Sequence, residues 1–337
     1  MTLFDDICSY DHLAEAFLRA KRGKRKKPYV KEFAKDFPER IQLLSDELKY
    51  GLYRPEHLKT FVITDPKTRV ISKSAFRDRV VHHAIHRIIE PLFERVFIHD
   101  SYANRKNKGV HKALNRFRVF VRRVSKNNTA PCFVLKCDIR KYFDTVDHAL
   151  LIAIIARRIQ DERLLSLIRI ILQNHERNGP GKGMPLGNLT SQFFANVYLN
   201  ELDQFVKHEL KIKEYIRYVD DFVIVGTSTA QLERYRAVIE EFLEQKLTLR
   251  LHLQKSRIYE LTRGVDFVGY RVFPNHTLLR KRNIKRIIRK AANIQSLLHS
   301  GELDFEEAQR KLAGWFGYAK HANTAYLQSG IRDKIAS

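Results

Sequence analysis

Apolar positions along the chain keep two periods, and the switches between them mark the elements. Residues 10–50 carry apolar side chains at helical spacing, interrupted by Lys21-Arg22-Gly23-Lys24-Arg25-Lys26-Lys27, a run that Pro28 closes. Phe61-Val62-Ile63-Thr64 and Arg69-Val70-Ile71 flank Asp65-Pro66-Lys67-Thr68, which reads as strand, cationic turn, strand. From Arg79 to Phe97 the spacing of Val80, Ala84, Ile85, Ile88 and Ile89 is helical, and Pro91 is expected to break it. A strand over 132–138 is followed by helical patterns from Asp147 to about Gln160 and from Glu162 to about His175, then by the turn cluster Gly179-Pro180-Gly181-Lys182-Gly183. A helix starts near Asn188 or Thr190 and runs to about Leu210. Beyond it the pattern gives a hairpin at 215–226, a helix over 229–246, a strand Leu249–Leu253, a second hairpin at Val265–Phe273, and helices over the last sixty residues. The order implies an α+β protein with an antiparallel centre and no internal repeat.

Two of the apolar strands are interrupted by acids. Asp138 follows Cys132-Phe133-Val134-Leu135, and Asp220-Asp221 sit between Tyr215-Ile216 and Phe222-Val223-Ile224-Val225. A buried carboxylate without a partner is costly. Paired acids at strand ends serve instead to hold a hard cation such as Mg²⁺, which takes one or two carboxylates beside water and phosphate oxygens. Two Mg²⁺ ions, with Mn²⁺ as a substitute, can run an in-line phosphoryl transfer if carboxylates come from adjacent strands. Neighbouring Asp residues point to opposite sides of a strand, so at a tight turn one of Asp220 and Asp221 can bridge both ions while the other shapes the field.

Charge narrows the partners. In 337 residues, 62 Lys and Arg stand against 38 Asp and Glu, a formal net charge of +24. That self-repulsion points to a polyanionic partner, nucleic acid before an anionic membrane surface. Lys24 and Arg25 in the early basic run are one cluster. In Arg280–Lys290, Arg282, Lys285, Arg286 and Arg289 share a helix face, opposite Ile284, Ile287, Ile288 and Ala291. No apolar stretch is long enough to span a membrane and the N-terminus has no signal-like apolar core, so a cytosolic, cytoplasmic protein is expected. Cys8, Cys132 and Cys137 have no metal or disulfide spacing and read as buried small hydrophobes. His82, His83 and His86 lack a zinc-protease pattern, and Trp315, Phe316 and Tyr318 read as core of a small helical region.

Taken in order, the cationic hairpin, Phe76-Arg77-Asp78-Arg79-Val80-Val81-His82-His83, Asp138 with Phe143, Pro185-Leu186-Gly187-Asn188-Leu189-Thr190-Ser191-Gln192, Tyr218-Val219-Asp220-Asp221, Leu253-Gln254-Lys255-Ser256 and Phe267-Val268-Gly269-Tyr270 resemble the seven blocks of a reverse transcriptase over about residues 45–275. The resemblance implies a right-hand polymerase: an N-terminal basic helical segment at 1–60 that starts the fingers, fingers at 61–130, palm at 131–275 with a helical insert at about 147–185, and a helical thumb at 276–337. It implies catalysis by Asp138, Asp220 and Asp221, with the Ile139 carbonyl as a further candidate metal ligand. Lys67 and Arg69 match residues that meet the incoming triphosphate, Phe143 the ring that excludes a ribonucleotide's 2′-hydroxyl, and Gly187 a close backbone approach to the nascent pair. Gln192 matches a residue facing nucleotide or template, Lys255 the lysine near the triphosphate, and Phe267, Gly269 and Tyr270 the primer grip. Arg77 and Arg79 fall among the nucleic-acid contacts.

Within that family, Leu186 through Asn196 most resembles the enzymes of diversity-generating retroelements. Group II intron and most bacterial enzymes resemble a QGxxxSP pattern here, and this chain has Leu186 for the Gln and Gln192 for the Pro. Retron-like NAxxH and VTG signatures are missing, and little chain follows the thumb where intron proteins carry further regions. The branch implies dNTP-dependent copying of a retroelement's template RNA into cDNA from a primer, error-prone at adenines, with a small basic oligomeric accessory protein and no membrane. The alternatives are a retron-like or antiviral reverse transcriptase and a non-catalytic RNA-binding maturation factor.

Overall fold

In the computed structural model, which describes residues 2–64, 68–175 and 179–336, the chain opens on four helices, α1 (Leu3–Cys8), α2 (Tyr10–Ala20), α3 (Pro28–Lys35) and α4 (Phe37–Lys49). Their boundaries follow from local chemistry. Thr2 and Asp5 form a reciprocal capping box, Ser9 caps α2, and Pro28 begins α3 where a missing N–H costs nothing. A projecting hairpin, β1 (Lys59–Ile63) and β2 (Arg69–Lys73), pairs Lys59 with Lys73 through Ile63 with Arg69. It leads into α5 (Phe76–Glu94), against which α2 lays Leu13, Ala16, Phe17 and Ala20. Pro91 does not end α5: it lies within the last turn, where it forgoes the N–H bond to the Arg87 carbonyl, and Phe93 beyond it is buried.

The remaining elements are α6 (Val110–Val124), β3 (Phe133–Asp138), α7 (Tyr142–Thr145), α8 (His148–Ala156), α9 (Glu162–Gln173), α10 (Leu189–Gln204), β4 (Tyr215–Tyr218), β5 (Asp221–Gly226), α11 (Thr229–Leu247), β6 (Arg257–Glu260), β7 (Val265–Phe267), β8 (Tyr270–Val272), β9 (Thr277–Leu279), α12 (Lys281–His299), α13 (Phe305–Ala319) and α14 (Ala325–Ala336). A five-residue π-helical segment, Phe205–Glu209, extends α10. Contacts divide the chain into two units, 1–104 with 138–211 and 238–252, and 105–137 with 212–237 and 253–337.

The first unit is mainly helical, built on α5 and α10. Both bury apolar faces, and α10 is buried almost all round, from Thr190 to Asp203. The second unit holds a sheet of order β4-β5-β3-β6 and a smaller one of order β7-β8-β9. In the larger sheet β4 and β5 form an antiparallel hairpin, and β3 pairs antiparallel with β6 from Phe133↔Glu260 to Lys136↔Arg257. Helix α6 packs on β4 and β5 through Phe117, Phe120 and Val121 at helical spacing, a pattern the sequence reading passed over.

Three expectations need correction. Residues 249–253 do not form a strand: only Leu251 bridges, to Ile139, and the fourth strand of the sheet is Arg257–Glu260. Thr248, at φ 52°, turns the backbone left-handed where α11 ends, and a turn at 253–255 cuts the extended run short. The second hairpin acquires a third strand, β9. On α12 the packed face consists of Ile287, Ala291 and Ile294, which join Leu303, Ala308, Leu312 and Ile331, whereas Ile288 is 46% exposed.

Candidate active site

The β4–β5 hairpin closes on two residues, Val219 and Asp220, with Tyr218 paired to Asp221. Two-residue hairpin loops need a primed turn, and the first loop residue then takes a positive φ best tolerated by glycine. Here it is Val219, at φ 57°. A β-branched residue in that region is strained by about 1–3 kcal/mol and persists only where its surroundings impose it. One such restraint is Arg217 on β4, fully buried, whose guanidinium donates to the Val219 carbonyl at 3.2 Å. Asp220 and Asp221 are half-buried beside it.

β3, the neighbour of β5, ends on Asp138, also half-buried. Alternation puts Lys136 and Asp138 on one face of β3. The Lys136 ammonium lies 3.9 Å from Asp221 Oδ1, so Asp221 presents its carboxylate on the face that Lys136 occupies. Past the strand, Ile139 is buried and bridges Leu251, while the Asp138 carbonyl accepts from the His252 amide at 2.8 Å. Among the described residues no three His, Cys, Asp or Glu side chains converge closely enough to hold a metal by themselves. The donor set nonetheless suits Mg²⁺, which keeps several waters and takes substrate phosphate oxygens beside one or two carboxylates.

In the first unit a second constellation forms around the segment 183–188. The Gly183 amide donates to the Val146 carbonyl at 2.9 Å and the Met184 amide to the Phe143 carbonyl at 2.7 Å, which fixes α7. Tyr142 is buried and donates to the Ala195 carbonyl at 2.7 Å, which leaves the half-buried Phe143 as the outward ring of the pair. On the other side, the Ser72 amide donates to the Leu186 carbonyl at 3.2 Å and the Ser74 amide to Asn188 Oδ1 at 3.2 Å. Asn188 is the residue before α10, but its side chain holds β2 rather than capping the helix. Gly187 has φ 110°, and a Cβ there would stand 2.9 Å from Ile71 Cγ2. The close approach that requires glycine here is made by β2. Arg69, the first residue of β2, is exposed; Gln192 lies half-buried on the first turn of α10; Lys67 falls outside the described residues.

The β7–β8 turn is anchored by the helices that follow it. Phe267 and Tyr270 are buried, so the turn offers Val268 and Gly269 and not those two rings. The Gly269 carbonyl accepts from the Tyr318 hydroxyl at 2.6 Å and from Asn283 Nδ2 at 3.3 Å, and Tyr270 donates to the Tyr318 carbonyl at 2.8 Å. Tyr318 is therefore a partner of this turn as well as a core residue. Lys255 is exposed ahead of β6, and Arg282, Lys285, Arg286 and Arg289 are exposed along α12. Arg25 is exposed and Lys24 half-buried between α2 and α3; Arg77 is ion-paired with Glu47 and lies 5.2 Å over the Tyr53 ring. The three cysteines are buried thiols, with burial pushing Cys8 up to about 12 and Cys132 up to about 11. No described helix is long and apolar enough to cross a membrane.

Sequence reasoning missed Arg217, Asn188 and Tyr318. An arginine inside an otherwise apolar strand was the available signal for the first; the others act through contacts distant in sequence and leave none.

The family profile described as reverse transcriptase (RNA-dependent DNA polymerase) matches residues 63–272. Protein YkfC of Escherichia coli K12 is 31% identical over 283 residues, 72% of each chain. The group II intron-encoded protein LtrA of Lactococcus lactis is 24% identical over 348 residues; the match takes in 82% of this chain and 57% of that relative. Among solved structures, apo telomerase of Candida tropicalis truncated from its C-terminal domain superposes with a TM-score of 0.52 at 12% identity, over 69% of this chain and 58% of that one. The fold is accordingly the mixed helix and sheet arrangement of a right-hand polymerase.

Proposed function

From the chain's membership of the reverse transcriptase (RNA-dependent DNA polymerase) family, we propose that it copies RNA into DNA with Asp138, Asp220 and Asp221 as its catalytic carboxylates. The observation that carries this assignment is the placement of acids at the ends of neighbouring strands, one of them in a strained two-residue turn held by a buried arginine. In the reaction a primer 3′-hydroxyl attacks the α-phosphorus of a dNTP, the bond to the β-phosphate oxygen breaks, the hydroxyl proton leaves, and pyrophosphate is released. Bound Mg²⁺ would supply activation of the hydroxyl and neutralisation of the leaving group. The carboxylates, with the Ile139 carbonyl, would hold that cation; Arg69, Lys67 and Lys255 would offset triphosphate charge. Phe143 lies under the sugar and excludes a 2′-hydroxyl, while Gln192 faces the nucleotide or template. Val268 and Gly269 support the primer, and the exposed cations of α12 follow its phosphates. In this reading 61–130 acts as fingers, 131–275 as palm and 276–337 as thumb.

The branch we favour is that of diversity-generating retroelements, on the strength of Leu186 and Gln192 where QGxxxSP is the commoner pattern. The enzyme then works in the cytoplasm on its own retroelement's RNA, with a small basic oligomeric accessory protein, and misincorporates at template adenines. A second reading, an intron-type enzyme of ordinary fidelity, draws on the likeness to LtrA. Sequencing cDNA made by the purified chain on an RNA template decides between them. Errors concentrated at adenines support the first; errors spread evenly over the four bases overturn it.

A further inference from the structure

β3 runs Phe133-Val134-Leu135-Lys136-Cys137-Asp138, and its one basic residue sits two places ahead of the acid, on the face that Asp138 shares. β3 is an interior strand, between β5 and β6, and the Lys136 side chain is only 16% exposed, a rare setting for a lysine. The register sets it directly opposite Arg257 of β6, and like charges facing one another across a ladder are destabilising. What offsets that repulsion lies on the other side, on β5. The Lys136 ammonium is 3.9 Å from Asp221 Oδ1, an oxygen shut off from solvent. Among the described residues Asp221 is the one carboxylate within ion-pair distance of Lys136.

Charges so placed are screened less than a surface pair, and each is felt strongly by the other. The separation exceeds hydrogen-bond range, so the ammonium acts on Asp221 by its charge rather than by occupying a lone pair. Two opposed effects follow. While no divalent cation is bound, Lys136 offsets the negative charge that Asp220 and Asp221 concentrate at one hairpin tip. Once Asp221 ligates such a cation, the same ammonium repels it.

We propose that Lys136 is a positioning residue for Asp221: it supplies the counter-charge that steadies the carboxylate in the metal-free chain, and it weakens divalent-cation binding there. The inference rests on the reading of Asp221 as a ligand of the catalytic cation. Occupancy of the free chain by Mg²⁺ is then governed by a residue that acts on the ion only through its ligand's surroundings.

The full chain, freed of nucleic acid, is titrated with Mn²⁺ as the probe, the unbound ion being counted by electron paramagnetic resonance, and is melted both in chelator and in saturating Mg²⁺. Lys136→Met is expected to bind Mn²⁺ about tenfold more tightly than wild type and to melt lower in chelator, a gap that narrows in Mg²⁺. Lys136→Gln carries the same expectation should the Met variant not fold. Lys136→Arg keeps the charge and should match the wild-type affinity within about twofold. In an Asp221→Asn background, the effect of Lys136→Met in chelator should vanish, because the pair is already lost. A packing role for Lys136 would lower melting equally with and without metal and leave Mn²⁺ affinity unchanged, and that result overturns the inference. Mn²⁺ binding that is the same in Asp220→Asn as in wild type would instead overturn the reading of these acids as a metal site, so the two failures are told apart.

Discussion

Asp220 sits in a turn that its own sequence disfavours, and the reason lies in the residue before it. Val219 takes φ 57° in a position suited to glycine, and Arg217 is buried completely with a hydrogen bond to the Val219 carbonyl. The strain is thus sustained by a neighbour whose burial would otherwise be unfavourable. Replacing Arg217 with Met is expected to destabilise the chain by about 1 kcal/mol, since the half-buried Val219 carbonyl loses a donor, and to lower kcat for primer extension more than it raises KM for dNTP. Steady-state kinetics with urea denaturation reads both. Gly187→Ala meets two obstacles at once, φ 110° and a 2.9 Å approach to Ile71 Cγ2, and should cost about 1–3 kcal/mol. Adding Ile71→Ala removes the approach but not the backbone strain, so the denaturation midpoint should recover only in part. At this scale the acids were legible because they break apolar runs; Arg217 was not, since a lone charge in a strand usually faces water.

Helix α5 shows how far an element's chemistry departs from its pattern. Its buried stripe was readable, its passage through Pro91 was not, and nothing in the periodicity indicated that it buries ionisable groups of opposite tendency. Burial, with smaller contributions from neighbouring His83 and Arg79, lowers His82 to about 3; burial, with His86 next, lowers His83 to about 4. Burial raises Asp78 to about 6 against hydrogen bonds from Tyr53 and the Glu56 amide. The histidines' contribution is complete above pH 6.5 and is lost as pH falls towards 4, because the unfolded chain binds their protons first. Asp78 acts oppositely, its contribution being present below about 4 and lost as pH rises through about 6. Two groups outweigh one, so unfolding free energy should decline on the order of 3 kcal/mol from pH 7 to pH 4, and His82→Gln should flatten the decline. An unchanged profile in that variant would remove His82 from the account. The β7–β8 turn carries a second test: a Cβ at Gly269 would lie 2.8 Å from the Tyr318 hydroxyl, so Gly269→Ala should shorten products in a single-encounter extension assay, while Tyr318→Phe, which keeps the ring and loses the bond to Gly269, should do so more mildly.

At the scale of the whole molecule, the element order, the +24 charge and the position of the acids were open to reading from the sequence, and the match over residues 63–272 gives the chain its family. The misplaced strand at 249–253 had the right alternation, but its pairing depends on how far β3 extends past Asp138, which is a tertiary matter. The links from Asn188 to Ser74 and from Tyr318 to Gly269 span 114 and 49 residues and lie beyond any local pattern. A net charge of this size predicts RNA affinity that falls steeply with salt, whatever the sequence copied. Catalysis, unlike affinity, should depend on three side chains. The decisive measurement is therefore DNA-primed extension on an RNA template with dNTPs and Mg²⁺, made in parallel with RNA retention, for the wild type, Asp138→Asn and Asp220→Asn. The account predicts extension by the wild type that chelation of the metal abolishes, loss of extension by at least about three orders of magnitude in both variants, and RNA retention within about twofold of wild type. Extension by either variant at the wild-type rate would contradict it.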